Sequence, residues 1–143
     1  MPSAHTITCS TTGNCDLVDL SAEAARAVSE SAVTEGLLCL FVPGATGALT
    51  TLEYEPGVLA DFKACIERLA PEDMPYQHNR NCPTGNGHSH VRAGLIGPSL
   101  CVPIVGGKIT LGTWQRIVLV DFDNRPRERQ IVAHILPSAK PGM

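Results

Sequence analysis

Between Tyr76 and Arg92 the chain reads YQHNRNCPTGNGHSHVR, and three of its five histidines fall in that stretch together with Cys82. Neutral imidazole nitrogen and thiolate sulfur are good donors to a borderline-soft ion such as zinc. His88 and His90 stand two residues apart. In an extended segment they would point the same way and reach one metal, whereas on a helix they would diverge by about 200°. Gly85 and Gly87 would let the backbone approach a ligand closely. The spacing supports a metal or catalytic centre on these histidines, or a solvated loop whose imidazoles only hydrogen-bond. It does not have zinc-finger spacing.

Three other groups could take part in chemistry. Glu53 and Glu55 close an otherwise uncharged run and face opposite sides of an extended chain. One of them points inward to a cation or a donor network, or both cap the helix that Pro56 opens. Arg125, Arg127 and Arg129 alternate, so in an extended segment their guanidinium groups share a face. That face would grip phosphate, or serve as a charged edge that discourages aggregation. Trp114 and Gln115 follow Gly112-Thr113 as a packed turn or as the floor of a ring-binding site. There is no phosphate-binding glycine loop, dinucleotide fingerprint or serine elbow.

These groups need a scaffold. At 143 residues and 15.2 kDa the chain suits one compact domain over 1–143. Its apolar content of 43% supplies a core, but with one Trp, two Tyr and three Phe the packing falls to Leu, Val, Ile and Ala. A net charge of −3 and a pI near 5.9 argue against a binder of nucleic acid or of anionic membranes. A small basic pocket for a phosphorylated ligand remains open to it. Charged residues, at 17% against roughly 25% in an average domain, suggest surface hidden in an oligomer. The first residues lack the basic start and apolar run of a signal, which predicts a cytoplasmic chain with reduced thiols. Cys39, Cys65 and Cys101 have apolar neighbours and read as small core residues.

The β-branched run from His5 to Thr12 predicts a strand, with Gly13-Asn14 turning into a second at Cys15–Leu20. Ser21 would cap a helix to about Val33. Gly36–Val42 reads as a fully buried strand and Ala45–Glu53 as its successor. From Pro56, the spacing of Leu59, Phe62, Ile66 and Leu69 predicts a second helix with one apolar stripe. Pro71–Gly87 reads as a long functional loop. A short, helical piece at Val91–Ile96 and strands at Leu100–Val105, Lys108–Leu111, Trp114–Phe122 and Ile131–Leu136 complete the chain. The expectation is an α+β domain of about seven strands, largely antiparallel, with two main helices.

Four segments, GLLCLFVPGATGALTTLEYEPG (36–57), GNGHSHVRA (85–93), LGTWQ (111–115) and DNRPRER (123–129), carry a resemblance in that order. Together with Tyr76-x-His78, they resemble the YjbQ-like family of secondary thiamine-phosphate synthases, over about Thr8 to Val132. The resemblance implies a compact α+β homotrimer with sites near the subunit contacts. It implies that a hydroxymethylpyrimidine diphosphate is joined to a thiazole phosphate, releasing pyrophosphate. It further implies a divalent metal, zinc or magnesium, on His78, His88 and His90, with catalytic roles for His90, Glu53 and Arg92. Arg92, Trp114, Gln115 and Arg127 would contact substrate. The chain departs from the family at VPH(T/S)T, where Gly44 and Ala45 replace the motif histidine and hydroxyl residue. Loss of a ligand would weaken the metal site by orders of magnitude unless Cys82 replaces it. Gly44→His would then restore metal affinity. The alternative is a non-catalytic homotrimer that binds a metal or a phosphorylated metabolite.

Overall fold

The computed structural model describes residues 3–140, and within them the chain alternates between two antiparallel sheets. β1 (Ser3–Thr11), β8 (Arg127–Pro137), β3 (Glu35–Phe41), β5 (Ser99–Val105) and β6 (Lys108–Ile109) form a five-stranded sheet in that spatial order. β2 (Asp16–Asp19), β7 (Gln115–Asp121) and β4 (Gly47–Glu53) form a three-stranded one. The helices are α1 (Ser21–Ser31), α2 (Pro56–Leu69), the four-residue α3 (His78–Asn81) and α4 (Gly87–Ile96). The α+β class and the antiparallel pairing follow the sequence reading.

The inner faces of the sheets meet in a core of Leu38, Leu40, Leu49, Ile104, Ile117, Leu119, Ile131 and Ile135, closed along one side by Ala24, Ala27 and Val28 of α1. Each such aliphatic side chain contributes about 1.5–3 kcal/mol when removed from water. A second cluster packs α2 and α4 against the far face of the small sheet through Ile66, Ala93, Val118, Val120 and Phe122. Strand β7 is thus covered on both sides, which is why it is buried without alternation from Ile117 to Asp121.

Several local expectations change. β1 and β2 do not make a hairpin: Gly13, Asn14 and Cys15, all at positive φ, turn the chain from one sheet into the other. The corner is tight, because a Cβ on Gly13 would lie 2.5 Å from the Arg125 carbonyl oxygen. Ser21 is the first residue of α1 rather than its cap. The Asp19 carboxylate accepts the Ser21 N–H at 2.9 Å, and the Ser21 hydroxyl accepts the Ile117 N–H at 2.8 Å. β3 is buried on one face only, leaving Leu37 and Phe41 exposed and Cys39 half-buried. Cys101 is exposed, so neither it nor Cys39 is a core residue; the buried cysteine is Cys15. Leu69 drops out of the α2 stripe and is exposed. Glu55 alone caps α2, accepting the N–H groups of Gly57 and Val58 at 2.8 and 2.9 Å, which holds its carboxyl below the usual range.

Candidate functional site

The segment read as a long loop holds α3 and begins α4 four residues earlier than the expected helical piece. The start of α4 is set by a close approach: a Cβ on Gly87 would lie 2.5 Å from that of Tyr76. The Asn79 side chain accepts the Gly87 N–H at 2.9 Å and caps the helix from outside. Because His88 and His90 lie on a helix, they diverge instead of sharing a face. His88 is buried, its ring 6.3 Å from that of Tyr76, and burial first and the Arg92 charge second push its pKa down. His90 turns the other way, and its ring centroid lies 4.4 Å from that of His78.

His90 opens onto a cavity of about 400 Å³ whose walls include Gly44, Thr46, Asn86, Asp123, Arg125 and Arg129. A hydrogen-bonded chain runs behind it. The Asp121 carboxylate accepts from Nε and Nη2 of Arg129, each at 2.8 Å, and from the Thr11 hydroxyl at 2.6 Å. The Thr46 hydroxyl accepts from Arg129 Nη2 at 2.7 Å and donates to Asp123 at 3.1 Å. Asp123 also accepts from Arg127 at 2.6 Å and from the Asn86 amide at 3.3 Å. Burial alone would raise the Asp121 and Asp123 carboxyls. For Asp121 the bonds from Arg129 and Thr11 outweigh it, and for Asp123 those from the Asn124 backbone, Asn86 and Arg127 do so.

This network fixes the direction of one hydrogen bond. An ionised Asp123 only accepts, so the Asn86 NH₂ must face it and the Asn86 oxygen must face His78 Nε2, 3.1 Å away. His78 Nε2 therefore donates its proton to the Asn86 oxygen. Burial first, and the neighbouring His78 second, lower the His90 pKa, so its imidazole is neutral at pH 7. The His78 and His90 rings face each other, but a zinc site needs at least three protein ligands. Among the described residues no group of three or more His, Cys, Asp or Glu side chains is placed to hold a metal ion. Cys82 is engaged with the Thr84 hydroxyl at 3.0 Å. The donor set of one chain thus falls short of the three-histidine metal site that the resemblance implies. A side chain at Gly44 would have to adopt φ +125° and would bring its Cβ within 2.9 Å of Arg129 Nη1, so Gly44→His does not simply restore a ligand.

The other expected site residues lie elsewhere. Arg92 is buried away from the cavity, its Nε donating to the Ala70 carbonyl at 2.9 Å and its Nη2 pairing with Glu67. It ties α4 to the end of α2. Glu53 pairs with Gln115 at the opposite end of the β4–β7 ladder from Gly47 and Asp121, about 20 Å along the strands. Both are exposed, as is Trp114. The Gln115 amide oxygen accepts the Gly112 N–H and its NH₂ donates to Thr51, each at 3.0 Å. A second cavity of about 410 Å³ beside Gln115 carries no charged side chain. His90, Arg127 and, through Asn86, His78 converge on the first cavity; Glu53, Arg92, Trp114 and Gln115 do not.

Sequence reasoning misses Thr46, Asn86, Asp121 and Asp123. For the two acids a signal exists in the alternation at 121, 123, 125, 127 and 129, since they precede the three arginines at the same parity.

The family model described as "UPF0047 protein YjbQ-like" matches residues 5–138. A UPF0047 protein of Archaeoglobus fulgidus is 35% identical over 130 residues, covering 91% of this chain and 98% of that protein. One from Mycobacterium bovis is 37% identical over 115 residues, 80% of this chain and 87% of its own. Among solved structures, a hypothetical protein of Aeropyrum pernix K1 superposes with a TM-score of 0.88 at 32% identity, covering 95% of this chain and 99% of its own. A YbjQ-like protein of unknown function from Sulfolobus solfataricus P2 gives 0.87 at 27% identity, covering 96% and 100%. The match over nearly the whole chain, in sequence and in fold, makes this protein a member of the YjbQ-like (UPF0047) family.

Proposed function

We propose that the cavity between His90 and the arginines binds a small phosphorylated metabolite, and that this binding is the chain's primary activity. The observation that carries the reading is the charge on the cavity wall. Arg129 and Arg127 are offset by Asp121 and Asp123, while Arg125 is exposed and forms no ion pair among the described residues. A cavity with one uncompensated guanidinium at its wall suits a phosphate group. Titration of the intact protein with inorganic pyrophosphate, followed by calorimetry, tests it. Saturable binding that weakens about tenfold or more in Arg125→Ala is expected, since a hydrogen bond to a charged group is worth about 1.5–3 kcal/mol. Absence of heat for phosphate and pyrophosphate alike overturns the reading.

A second reading, transfer chemistry of the thiamine-phosphate synthase kind, is favoured by the facing pair His78 and His90. In that reaction the thiazole ring nitrogen would bond to the pyrimidine methylene carbon as the carbon–oxygen bond to diphosphate breaks, with Arg125 and His90 on the wall that receives the departing diphosphate. Incubation with hydroxymethylpyrimidine diphosphate and thiazole phosphate should then release pyrophosphate, and His90→Ala should abolish release without loss of pyrophosphate binding. Substrate contacts from Glu53, Trp114 and Gln115 would require a second copy of the chain to bring them to the cavity. A homotrimer would provide such copies. A metal, if held, would sit on His78 and His90 with its remaining positions filled from outside the chain. Elemental analysis of tag-free protein should find well under one zinc or magnesium per chain, and a stoichiometric metal lost in His90→Ala would revive a metal centre.

A further inference from the structure

Arg129 has more donors than the fold uses. Its guanidinium carries five N–H groups. Nε spends one on Asp121, and Nη2 spends two on Asp121 and Thr46. Nη1 keeps both of its protons free of any partner among the described residues, although the side chain is only 3% exposed. Those two donors are not sealed in the core: Arg129 lines the cavity wall, so Nη1 opens to solvent there while the rest of the side chain is buried. The guanidinium cannot relax away, since Asp121 grips it in bidentate fashion and is itself wholly buried.

Nη1 faces Gly44. A Cβ built at Gly44 would stand 2.9 Å from Nη1, within the space a hydrogen-bonded oxygen would take, and at φ +125° the backbone disfavours any residue that carries one. The absence of a side chain thus leaves the donor open to the cavity, with Ala45 beside it adding no bulk beyond a methyl group. We propose that Arg129 Nη1, uncovered by Gly44, is the fixed donor that takes a phosphate oxygen of the bound ligand, with exposed Arg125 closing on the same phosphate from solvent. This deepens the phosphate-pocket reading and rests on it. The division of labour is between a preorganised guanidinium, whose direction is set by Asp121 and Thr46, and an exposed one held by no ion pair among the described residues. Preorganisation supplies orientation at little entropic cost.

The test uses the intact chain, with inorganic pyrophosphate as probe. Proton–nitrogen spectra of the arginine side chains should show the Arg129 Nη1 protons shifting on titration, and Gly44→Ala should weaken binding at least tenfold while retaining the wild-type backbone spectrum. If pyrophosphate binds and Arg125→Ala weakens it, but the Arg129 signals stay still, the proposal is overturned and the pocket reading stands. It is equally overturned if folded Gly44→Ala binds as tightly as wild type. If neither phosphate nor pyrophosphate binds the wild type, both fail. Should Gly44→Ala not fold, the wild-type Arg129 signals decide alone.

Discussion

At the residue scale, Asp121 and Arg129 form the most consequential pair, 0% and 3% exposed and joined by two parallel bonds. Breaking a buried pair by removing one partner leaves an uncompensated charge and costs about 3–5 kcal/mol. Arg129→Met should therefore lower the unfolding free energy by about that amount at pH 7, read from urea denaturation. The sign of its pH dependence follows from the shift. In the wild type Asp121 is held below its unfolded value of about 3.9, so its contribution is present above that pH and is lost as pH falls through the folded value. In Arg129→Met burial acts with less opposition and the carboxyl rises, so acidification relieves the variant first. The gap between the two proteins should be widest at neutral pH and narrow towards pH 4; a gap independent of pH would assign the loss to packing instead. The alternation of the arginines is legible in the sequence, but their burial is not. Nothing in local spacing says that two acids at the end of the preceding strand will absorb two of the three charges.

At the element scale, α4 decides which histidines meet. The stretch GNGHSHVRAGLIG looks extended because glycines and β-branched residues interrupt it, yet Gly87 is demanded by contact with Tyr76 and the cap comes from Asn79, eight residues upstream. Both causes are tertiary, which is why periodicity alone places the helix late and turns His88 toward the wrong partner. Strand pairing gives an independent check on the register. Cys39 and Cys101 stand directly opposite each other on β3 and β5, with their sulfurs 3.0 Å apart. Directly opposed strand residues have Cα separations of about 4.5–5.5 Å, inside the range that a disulfide spans. The Cys39 thiol is pushed up to about 11, by its bond to Cys101 first and by burial second, so a disulfide reagent meets exposed Cys101 first. In dilute protein, glutathione disulfide should form a mixed disulfide at Cys101 that Cys39 then displaces, lowering the thiol count by two without linking chains. A one-residue slip would put the two sulfurs on opposite faces and prevent it.

At the scale of the whole molecule, the outer face of the large sheet carries an apolar patch. Leu37 and Phe41 of β3, Val105 of β5, and Val132 and Leu136 of β8 are exposed together. The low charge content points to hidden surface, whereas the continuous apolar run Gly36–Val42 suggests burial within one chain; half of it faces out. Such a face is the natural contact for further copies. Light scattering should therefore find an oligomer, a trimer by family resemblance, and Phe41→Lys should shift it toward monomer. The thiol exchange at Cys101 should slow as protein concentration rises. Strand β1 offers a contrast. Its outward residues Thr6, Thr8 and Ser10 are polar, and among the described residues it pairs only with β8, with Ser3 opposite Ile135 and Thr11 opposite Arg127. A ribosome adding about 5–20 residues per second would leave that first strand waiting roughly ten seconds for the last one to emerge. Until then that strand presents a hydroxyl-bearing outer face to solvent and not an apolar one. The arginines that line the cavity lie at the start of β8 or just before it, so the pocket cannot exist before that stretch has emerged.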